Sequence, residues 1–420
     1  MKLDRREFLE VAGTVLASSA FPLGSFAAPP AKSLDNGKRI QTVRGPMPPS
    51  DFGFTSMHEH ILLKSIPRNR EEALEIWDEE TLSGSILLTP PPVPENFFPE
   101  PGHPITIENR GYLRDYYSHG EKMFELGEQL LLAELRDFAK VGGRSILDVT
   151  VPHERGNPET IREMSEQTGV NIVMSTGLNS TDILPKRYKN MDVPELIKFM
   201  EGDLFEGIDD TDVKASQIKL LVDAPDIGGE GAGGEYFRKG LEAAANISKN
   251  SGVSVTIHVY MFSDTDYREL LSTAKRFGAP PERVVLAHFQ TSIREMRVEK
   301  LLKQPESFAL MLDFGREVMD QGFTISFDTF GALWADTQLG AAADYDIYPL
   351  AAMYQYIQEG YADRIVIGTD LWTRISTRRY GGYGMIRLLN FVVPTLRKYG
   401  ISQEHIDQIT VHNPARLLAV

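Results

Sequence analysis

The sequence contains no cysteine, no excess of basic residues, and no long apolar run beyond its N-terminal region. Without cysteine, disulfides and thiolate metal sites are excluded, so a bound metal would need histidine, carboxylate or other oxygen ligands. A formal net charge of −15 argues against a nucleic-acid partner, because phosphate binding requires a basic surface. The lack of a later apolar run argues against a membrane span, and 420 residues suffice for one large domain or two medium ones.

The N-terminal region has the features of an export signal. Arg5-Arg6 precedes Phe8-Leu9, and a weakly apolar run rich in Ala, Gly and Ser follows over residues 11–28. This arrangement resembles a bacterial twin-arginine signal, although Glu10 stands where a basic residue is common. We therefore expect the precursor to use the twin-arginine export machinery and the product to be periplasmic or secreted. The alternative is an amphipathic N-terminal helix.

Beyond the leader, short apolar segments alternate with segments of helical spacing. One apolar segment leads into His58-Glu59-His60, and seven more follow a long Pro-rich excursion, at residues 145–150, 171–175, 217–222, 253–258, 283–288, 323–327 and 364–369. Short apolar strands between helices predict a parallel sheet covered by helices, and eight such units predict a (β/α)8 TIM barrel. A doubly wound sheet is the alternative, but no Gly-x-Gly-x-x-Gly follows the first strand. The predicted division of the chain is a signal peptide over 1–27, a linker over 28–41 and the barrel over 42–420.

Histidine and acidic residues stand at the ends of several predicted strands, where a TIM barrel carries its reactive groups. His58 and His60 are two positions apart, so they project from one face of a strand and can hold one cation through imidazole nitrogen. His258, His288 and Asp370 stand at the ends of later strands. Each alone has a structural explanation, as a core histidine or as a helix cap. Their common position at one rim favours a metal site.

Lys219 lies among apolar residues of the fourth predicted strand. Burying an inward-facing ammonium without a partner would cost on the order of several kcal/mol. The side chain could therefore face outward, pair with a carboxylate, or have a lowered pKa. A neutral amine beside two metal ions could also take up carbon dioxide and become a carbamate that bridges them. The residues alone leave these alternatives open.

Six residues, in this order and spacing, resemble the ligand set of the phosphotriesterase family of the amidohydrolase superfamily: His58, His60, Lys219, His258, His288 and Asp370. Three flanking segments resemble the family as well, at residues 43–46 (Val-Arg-Gly-Pro), 175–177 (Ser-Thr-Gly) and 413–416 (Asn-Pro-Ala-Arg). The resemblance implies a binuclear centre with one ion on His58, His60 and Asp370 and the other on His258 and His288. A carboxylated Lys219 and a hydroxide would be shared between the ions.

The same resemblance implies the chemistry of the centre. Two ions would activate water, and Asp370 would serve both as a ligand and as the acceptor of the proton released during attack. Zinc is the first expectation for both ions, with Mn, Co or Fe as alternatives. Family members are commonly homodimers, so a homodimer is expected here.

The resemblance also implies hydrolysis of a small-molecule substrate, and no Gly-x-Ser-x-Gly motif indicates a serine nucleophile. A lactone or other carboxylic ester is the first expectation, with phosphotriester hydrolysis as a promiscuous activity. The alternatives are an organophosphate triester hydrolase, an amidase, and a solute-binding barrel without turnover. The predicted substrate residues are Asn179, Tyr260, Asp328, Phe330 and Trp372. Asp328 is expected at the rim near the leaving group, or at a helix entry, and Glu59 is expected to face away from the site toward a helix.

Overall fold

The predicted apolar segments form parallel strands in a computed structural model of the chain. The structure describes residues 37–63, 70–84, 102–115, 120, 122–179, 184–221, 232–259, 263–294, 309–332, 335–336, 341–342 and 346–420. Within them, the strands β1 to β8 of the central sheet are Thr55–Glu59, Ser145–Asp148, Asn171–Leu178, Ala215–Leu221, Ser254–His258, Val284–Ala287, Thr324–Phe327 and Ile365–Ile367. Each pairs in parallel with the next in chain order, from β1 through β8.

The first and last strands of this sheet meet each other. Just beyond β8, the Asp370 backbone N–H donates a 2.9 Å hydrogen bond to the carbonyl of His58 in β1. A Cβ atom on Gly368 would lie only 2.9 Å from the backbone nitrogen of His58, so a glycine is needed where the two strands approach. The sheet therefore curves back on itself and forms the predicted (β/α)8 TIM barrel.

Helices connect the strands and each buries one face. Helix Pro158–Thr168 has a clear start and stop, because Asn157 caps its first turn and Gly169, with φ of 72°, ends it. Its buried residues include Ile161 and Met164, which lie three positions apart on one side. The α-helices of the described residues are Arg70–Ile76, Glu79–Gly84, Arg110–Asp115, Glu128–Lys140, Pro158–Thr168, Lys186–Lys189, Val193–Glu201, Ala232–Ser251, Asp264–Arg276, Asp313–Asp320, Ile347–Gln358, Val393–Lys398, Gln403–Asp407 and Asn413–Leu418. None of them is long and apolar enough to cross a membrane.

The segment before β1 belongs to the folded unit. Ile40–Thr42 pairs with Gly45–Met47, and Arg39 exchanges two 3.1 Å backbone hydrogen bonds with Val420. Because Ile40 is also fully buried, the linker predicted over residues 28–41 extends too far at its end. The predicted signal peptide and linker residues 28–36 lie outside the described residues, so export and a periplasmic location stay predictions.

Candidate metal centre

The six predicted ligands come together at the carboxyl-terminal ends of the barrel strands. His58 lies in β1 and His60 just after it, Lys219 lies within β4, and His258 ends β5. His288 directly follows β6, and Asp370 lies just beyond β8. This is the end of a TIM barrel at which active sites are built. The arrangement arises because parallel strands bring residues that are distant in the chain to one rim.

The first half of the cluster is formed by His58, His60 and Asp370. Asp370 Oδ1 lies 3.4 Å from His58 Nε2 and 3.3 Å from His60 Nε2. The three side chains offer ligand atoms that all lie within 4.8 Å of one another. His60 is oriented from its other side by Thr150, whose Oγ1 lies 3.0 Å from His60 Nδ1. These distances allow a single cation to be held by all three side chains.

The second half of the cluster is formed by His258, His288 and Lys219. His258 Nδ1 and His288 Nε2 are 2.9 Å apart, so both lone pairs can be directed at one ion. Lys219 Nζ lies 3.2 Å from His58 Nε2, and the His58 and His288 ring centroids are 4.7 Å apart. The two halves therefore form one continuous group of side chains.

Lys219 faces the interior of the barrel, and 1% of its surface is exposed. The outward-facing alternative is thereby excluded. In register with it on β3 is Gly177, whose φ is +131° and whose Cβ, if present, would lie 1.8 Å from the Lys219 carbonyl oxygen. Glycine at position 177 is thus required for β3 to approach β4 beside the lysine.

Asp328 is buried beneath the cluster rather than at the exposed rim, so the prediction for this residue was wrong. Its side chain is fully buried, and its Oδ2 accepts a 2.8 Å hydrogen bond from His58 Nδ1. Its Oδ1 accepts hydrogen bonds from His288 Nδ1 at 2.8 Å and from His288 N at 2.9 Å. Asp328 follows β7 directly, which is the same strand-end signal that identified Asp370 as a ligand.

Two interpretations exist for the group of Asp328, His58 and His288, because their ligand atoms also lie close enough to hold a metal. The 2.8 Å Nδ1–carboxylate distances are those of hydrogen bonds, and both carboxylate oxygens are occupied by them. We therefore assign Asp328 to orienting the imidazoles. With Nδ1 protonated by this contact, Nε2 of each ring is left as the atom available to a metal.

Asp328→Asn is expected to weaken metal binding by about 10–100-fold, the cost of removing a partner that orients a ligand. The asparagine NH2 group would face an imidazole N–H, so one histidine would lose its acceptor. Competition with a chelator of known affinity would measure the effect. Asp313→Asn, which removes the same charge from a fully exposed side chain, is the control. Unchanged affinity in Asp328→Asn would contradict the orienting role.

The protonation states suit metal binding. Burial, followed by the charge of Lys219, lowers the pKa of His58 to about 4, and burial also holds the pKa of His258 well below its usual value. Both imidazoles are therefore neutral near pH 7. Burial lowers the pKa of Lys219 to about 8, although nearby carboxylates raise it. Burial acts to raise the pKa of Asp370, but the neighbouring histidines outweigh it and keep this carboxyl ionised.

Two of the predicted ligands have unusual backbone conformations. His288 has φ of 55° and Asp370 has φ of 50°, a region that residues other than glycine rarely occupy. Each such residue costs roughly 1–3 kcal/mol, and such strain concentrates at functional sites. At both positions the backbone therefore leaves the extended conformation where the strand ends.

Asn179, directly after β3, contacts two residues that sequence reasoning missed. Its Nδ2 donates a 2.8 Å hydrogen bond to Glu154 Oε1 and lies 3.4 Å from His153 Nε2. The negative charge of Glu154 also acts on Lys219, so this pair lies beside the centre. The His153 side chain is only 4% exposed. Both missed residues lie in the loop after β2, where the strand-end rule would have found them.

Two of the three aromatic residues predicted to contact substrate lie within the described part of the chain. Trp372 is half-buried and stacks on Phe124, with ring centroids 5.3 Å apart. Phe330 is instead buried in the hydrophobic core, with 2% exposure, so it does not form an open wall. Tyr260 lies outside the described residues.

The residues present fit divalent metal ions. Neutral imidazoles and an ionised carboxylate are the ligands preferred by zinc-like ions, and the cysteine-free sequence offers no thiolate alternative. The donors form two adjoining groups, which suits two ions side by side. Fold and donor set together define a TIM-barrel protein with a buried cluster of side chains that could hold divalent metals.

The chain belongs to the phosphotriesterase family, because the model of that family matches residues 38–418. The resemblance identified from the sequence is thereby confirmed. Family membership and the donor set together support a metal-dependent hydrolase.

Individual relatives are distant. An N-acetyltaurine hydrolase from Dictyostelium discoideum is 26% identical over 389 residues, which cover 91% of this chain and 98% of that protein. A phosphotriesterase-related protein from Nematostella vectensis is 26% identical over 383 residues, covering 89% and 96% of the two chains. The crystal structure of a resiniferatoxin-binding protein from Rhodobacter sphaeroides has a TM-score of 0.72 at 24% identity, and the match covers 90% of this chain and 94% of that one. This last similarity supports the fold alone.

Proposed function

We propose that the protein is a binuclear metal-dependent hydrolase that cleaves a carboxylic amide or ester of a small molecule. The observation that carries the proposal is the buried Lys219 amine, 3.2 Å from His58 Nε2 within a cluster of histidines and Asp370. In an ordinary barrel core, a buried lysine in contact with a neutral imidazole would be destabilising. It is explained by a centre in which the lysine is itself a ligand.

His58, His60 and Asp370 would hold one ion, and His258 with His288 would hold the other. When bound, the ions would lower the pKa of a water molecule and polarise the carbonyl oxygen of the substrate. Zinc is our first choice for both positions.

Lys219 would contribute as a carbamate shared by the two ions. With a pKa of about 8, a fraction of the amine is neutral near pH 7 and has a free lone pair. That nitrogen forms a bond to the carbon of carbon dioxide and releases one proton, which yields a carboxylate with one negative charge. The product replaces a cation that is costly to bury by an anion that offers two oxygen ligands.

Asp370 would accept and then donate the proton that is transferred in the reaction. Its Oδ1 lies 3.3 Å and 3.4 Å from the two Nε2 atoms of β1, so it is placed at the centre and is ionised before attack. It accepts the proton of the attacking water and can return it to the leaving group. An amide requires this second step more than an ester does, because an amine leaves poorly without a proton.

Among carboxylic substrates, we place an N-acyl amine first. The support is the relative named N-acetyltaurine hydrolase, which is similar over 91% of this chain. The lactone or ester expected from the sequence is the second candidate, because it presents the same acyl carbon to the same residues. The homodimer likewise stays a prediction.

A substrate panel with the metal-loaded protein tests the proposal. The panel pairs N-acetyl amines with their O-acetyl ester counterparts and adds γ- and δ-lactones and an aryl dialkyl phosphotriester. We expect turnover of an amide or an ester that is lost on chelation and restored by Zn, Mn or Co. Turnover that survives removal of both metals would refute the proposal, as would stoichiometric metal without turnover of any substrate, which is the behaviour of a solute-binding barrel.

A further inference from the structure

Glu59 stands between two predicted ligands, His58 and His60, and is fully buried. The register of β1 shifts between Ser56 and Glu59, and the Glu59 carboxylate is hydrogen-bonded away from the imidazoles, as the sequence predicts. The helix partner expected for it is wrong, because the hydrogen bonds that its carboxylate accepts from outside β1 come from residues that follow β8. This contact crosses the seam at which the barrel closes.

The carboxylate of Glu59 binds the residues on both sides of Asp370. Oε1 accepts a 3.1 Å hydrogen bond from the backbone N–H of Thr369, and Oε2 accepts a 3.1 Å hydrogen bond from the backbone N–H of Leu371. The Thr369 hydroxyl lies 2.7 Å from both oxygens, and Ser56 Oγ donates to Oε1 at 2.5 Å. The two oxygens thus bracket a single residue.

That bracketed residue is the strained one. Asp370 has φ of 50°, in the left-handed region, which aspartate occupies more often than most residues other than glycine but which surrounding contacts help to hold. Its own backbone N–H is bonded to the His58 carbonyl at 2.9 Å, so β1 holds positions 369, 370 and 371 in succession. Because the direction of the Asp370 side chain follows from its backbone angles, these contacts set where Oδ1 lies.

We propose that Glu59 is a positioning residue that holds Asp370 in its reactive geometry through the backbone on either side of it. The kinetic test of this inference rests on the proposed function. Its second test measures metal affinity alone and requires no reaction. His58 and His60 project to one face of β1 while Glu59 secures Asp370 from the other, so a single strand aligns all three members of the first metal group.

A double-mutant cycle tests the proposal. Glu59→Gln turns an NH2 group toward a backbone N–H, and we expect it to lower kcat by about 10–100-fold with little change in KM. The same substitution in an Asp370→Asn background should have almost no further effect, because the residue it positions has already lost its function. Thr369→Val, which removes only the hydroxyl contacts, should give a smaller loss that depends on Asp370 in the same way. Thermal unfolding of each variant separates loss of fold from loss of geometry.

Glu134→Gln is the matched control. Glu134 is also a buried glutamate that accepts from a backbone N–H, that of Arg378 at 2.7 Å, but it does not flank Asp370. Its effect should be equal in both backgrounds. An equal effect of Glu59→Gln in both backgrounds, or a wild-type kcat, would overturn the positioning role. If no substrate of the panel is turned over, the same cycle is measured on zinc affinity, so a failure of the proposed reaction is distinguishable from a failure of this inference.

Discussion

Lys219→Ala is expected to lose bound metal and hydrolytic activity together, by more than the roughly 10–100-fold cost of removing an outer partner of a metal ligand. The reason is that the lysine is placed to be a ligand itself. Its side chain is buried inside the barrel, and its Nζ lies 3.2 Å from His58 Nε2. Without it, the two groups of donors keep their own contacts but lose the negative charge that would be shared between the ions.

The variant also allows a chemical rescue. Truncation to alanine leaves space for a small carboxylic acid such as acetate or propionate, which offers the two oxygens that the carbamate would supply. We expect these acids to restore part of the metal content and part of the turnover in Lys219→Ala, and neither in the wild type. Metal content by elemental analysis and kcat/KM on the best panel substrate are the two measurements.

Lys214→Ala is the control for this experiment. Lys214 immediately precedes β4, and its Nζ donates to the Phe205 carbonyl near the surface. Its removal eliminates the same charge from the same segment without touching the centre, so metal content and activity should remain. Turnover at the wild-type rate in Lys219→Ala would exclude a bridging role for Lys219.

Asp370→Asn is expected to reduce kcat by at least about 10²-fold, in the range of general acid–base catalysis, with KM much less affected. The substitution preserves size while removing the charge and the site that accepts a proton. Because Asp370 Oδ1 also contacts both Nε2 atoms of β1, the ion on His58 and His60 should be held more weakly. Activity should therefore stay low even when both metals are supplied in excess.

The control is Asp363→Asn, just before β8, where the side chain is 57% exposed. It should match the wild type in kcat, KM and metal content. If excess metal restored full activity to Asp370→Asn, Asp370 would be a ligand only, and another group would have to accept the proton from the attacking water. Comparing amide and ester substrates sharpens the test, because kcat for the amide should fall more than kcat for the ester.

Strand ends explain how far the site could be predicted from the sequence. The rule that reactive groups follow barrel strands identified the histidines of β1, β5 and β6. It applies equally to Asp328, which was predicted near the leaving group or at a helix entry, and to Glu154, which was not considered. His288 and Asp370 were predicted at the ends of their strands, but nothing in the sequence indicated that both would adopt positive φ. Local propensity does not predict such strain, since it is enforced by contacts from other strands.

The sequence by itself determined the barrel and the end of it that carries the chemistry, because alternating apolar strands and helices leave few other arrangements and spacing along a strand sets which side chains share a face. Only the tertiary structure decided which partners meet: Asp328 with His58 and His288, and Glu59 with the residues around Asp370. Asp328 is 270 positions from His58 and 40 positions from His288, and Glu59 is 310 positions from Thr369 and 312 positions from Leu371. The contact of Asp328 with His288 joins the neighbouring strands β6 and β7, whereas the other contacts form only when the sheet closes and its last strands come to lie near β1.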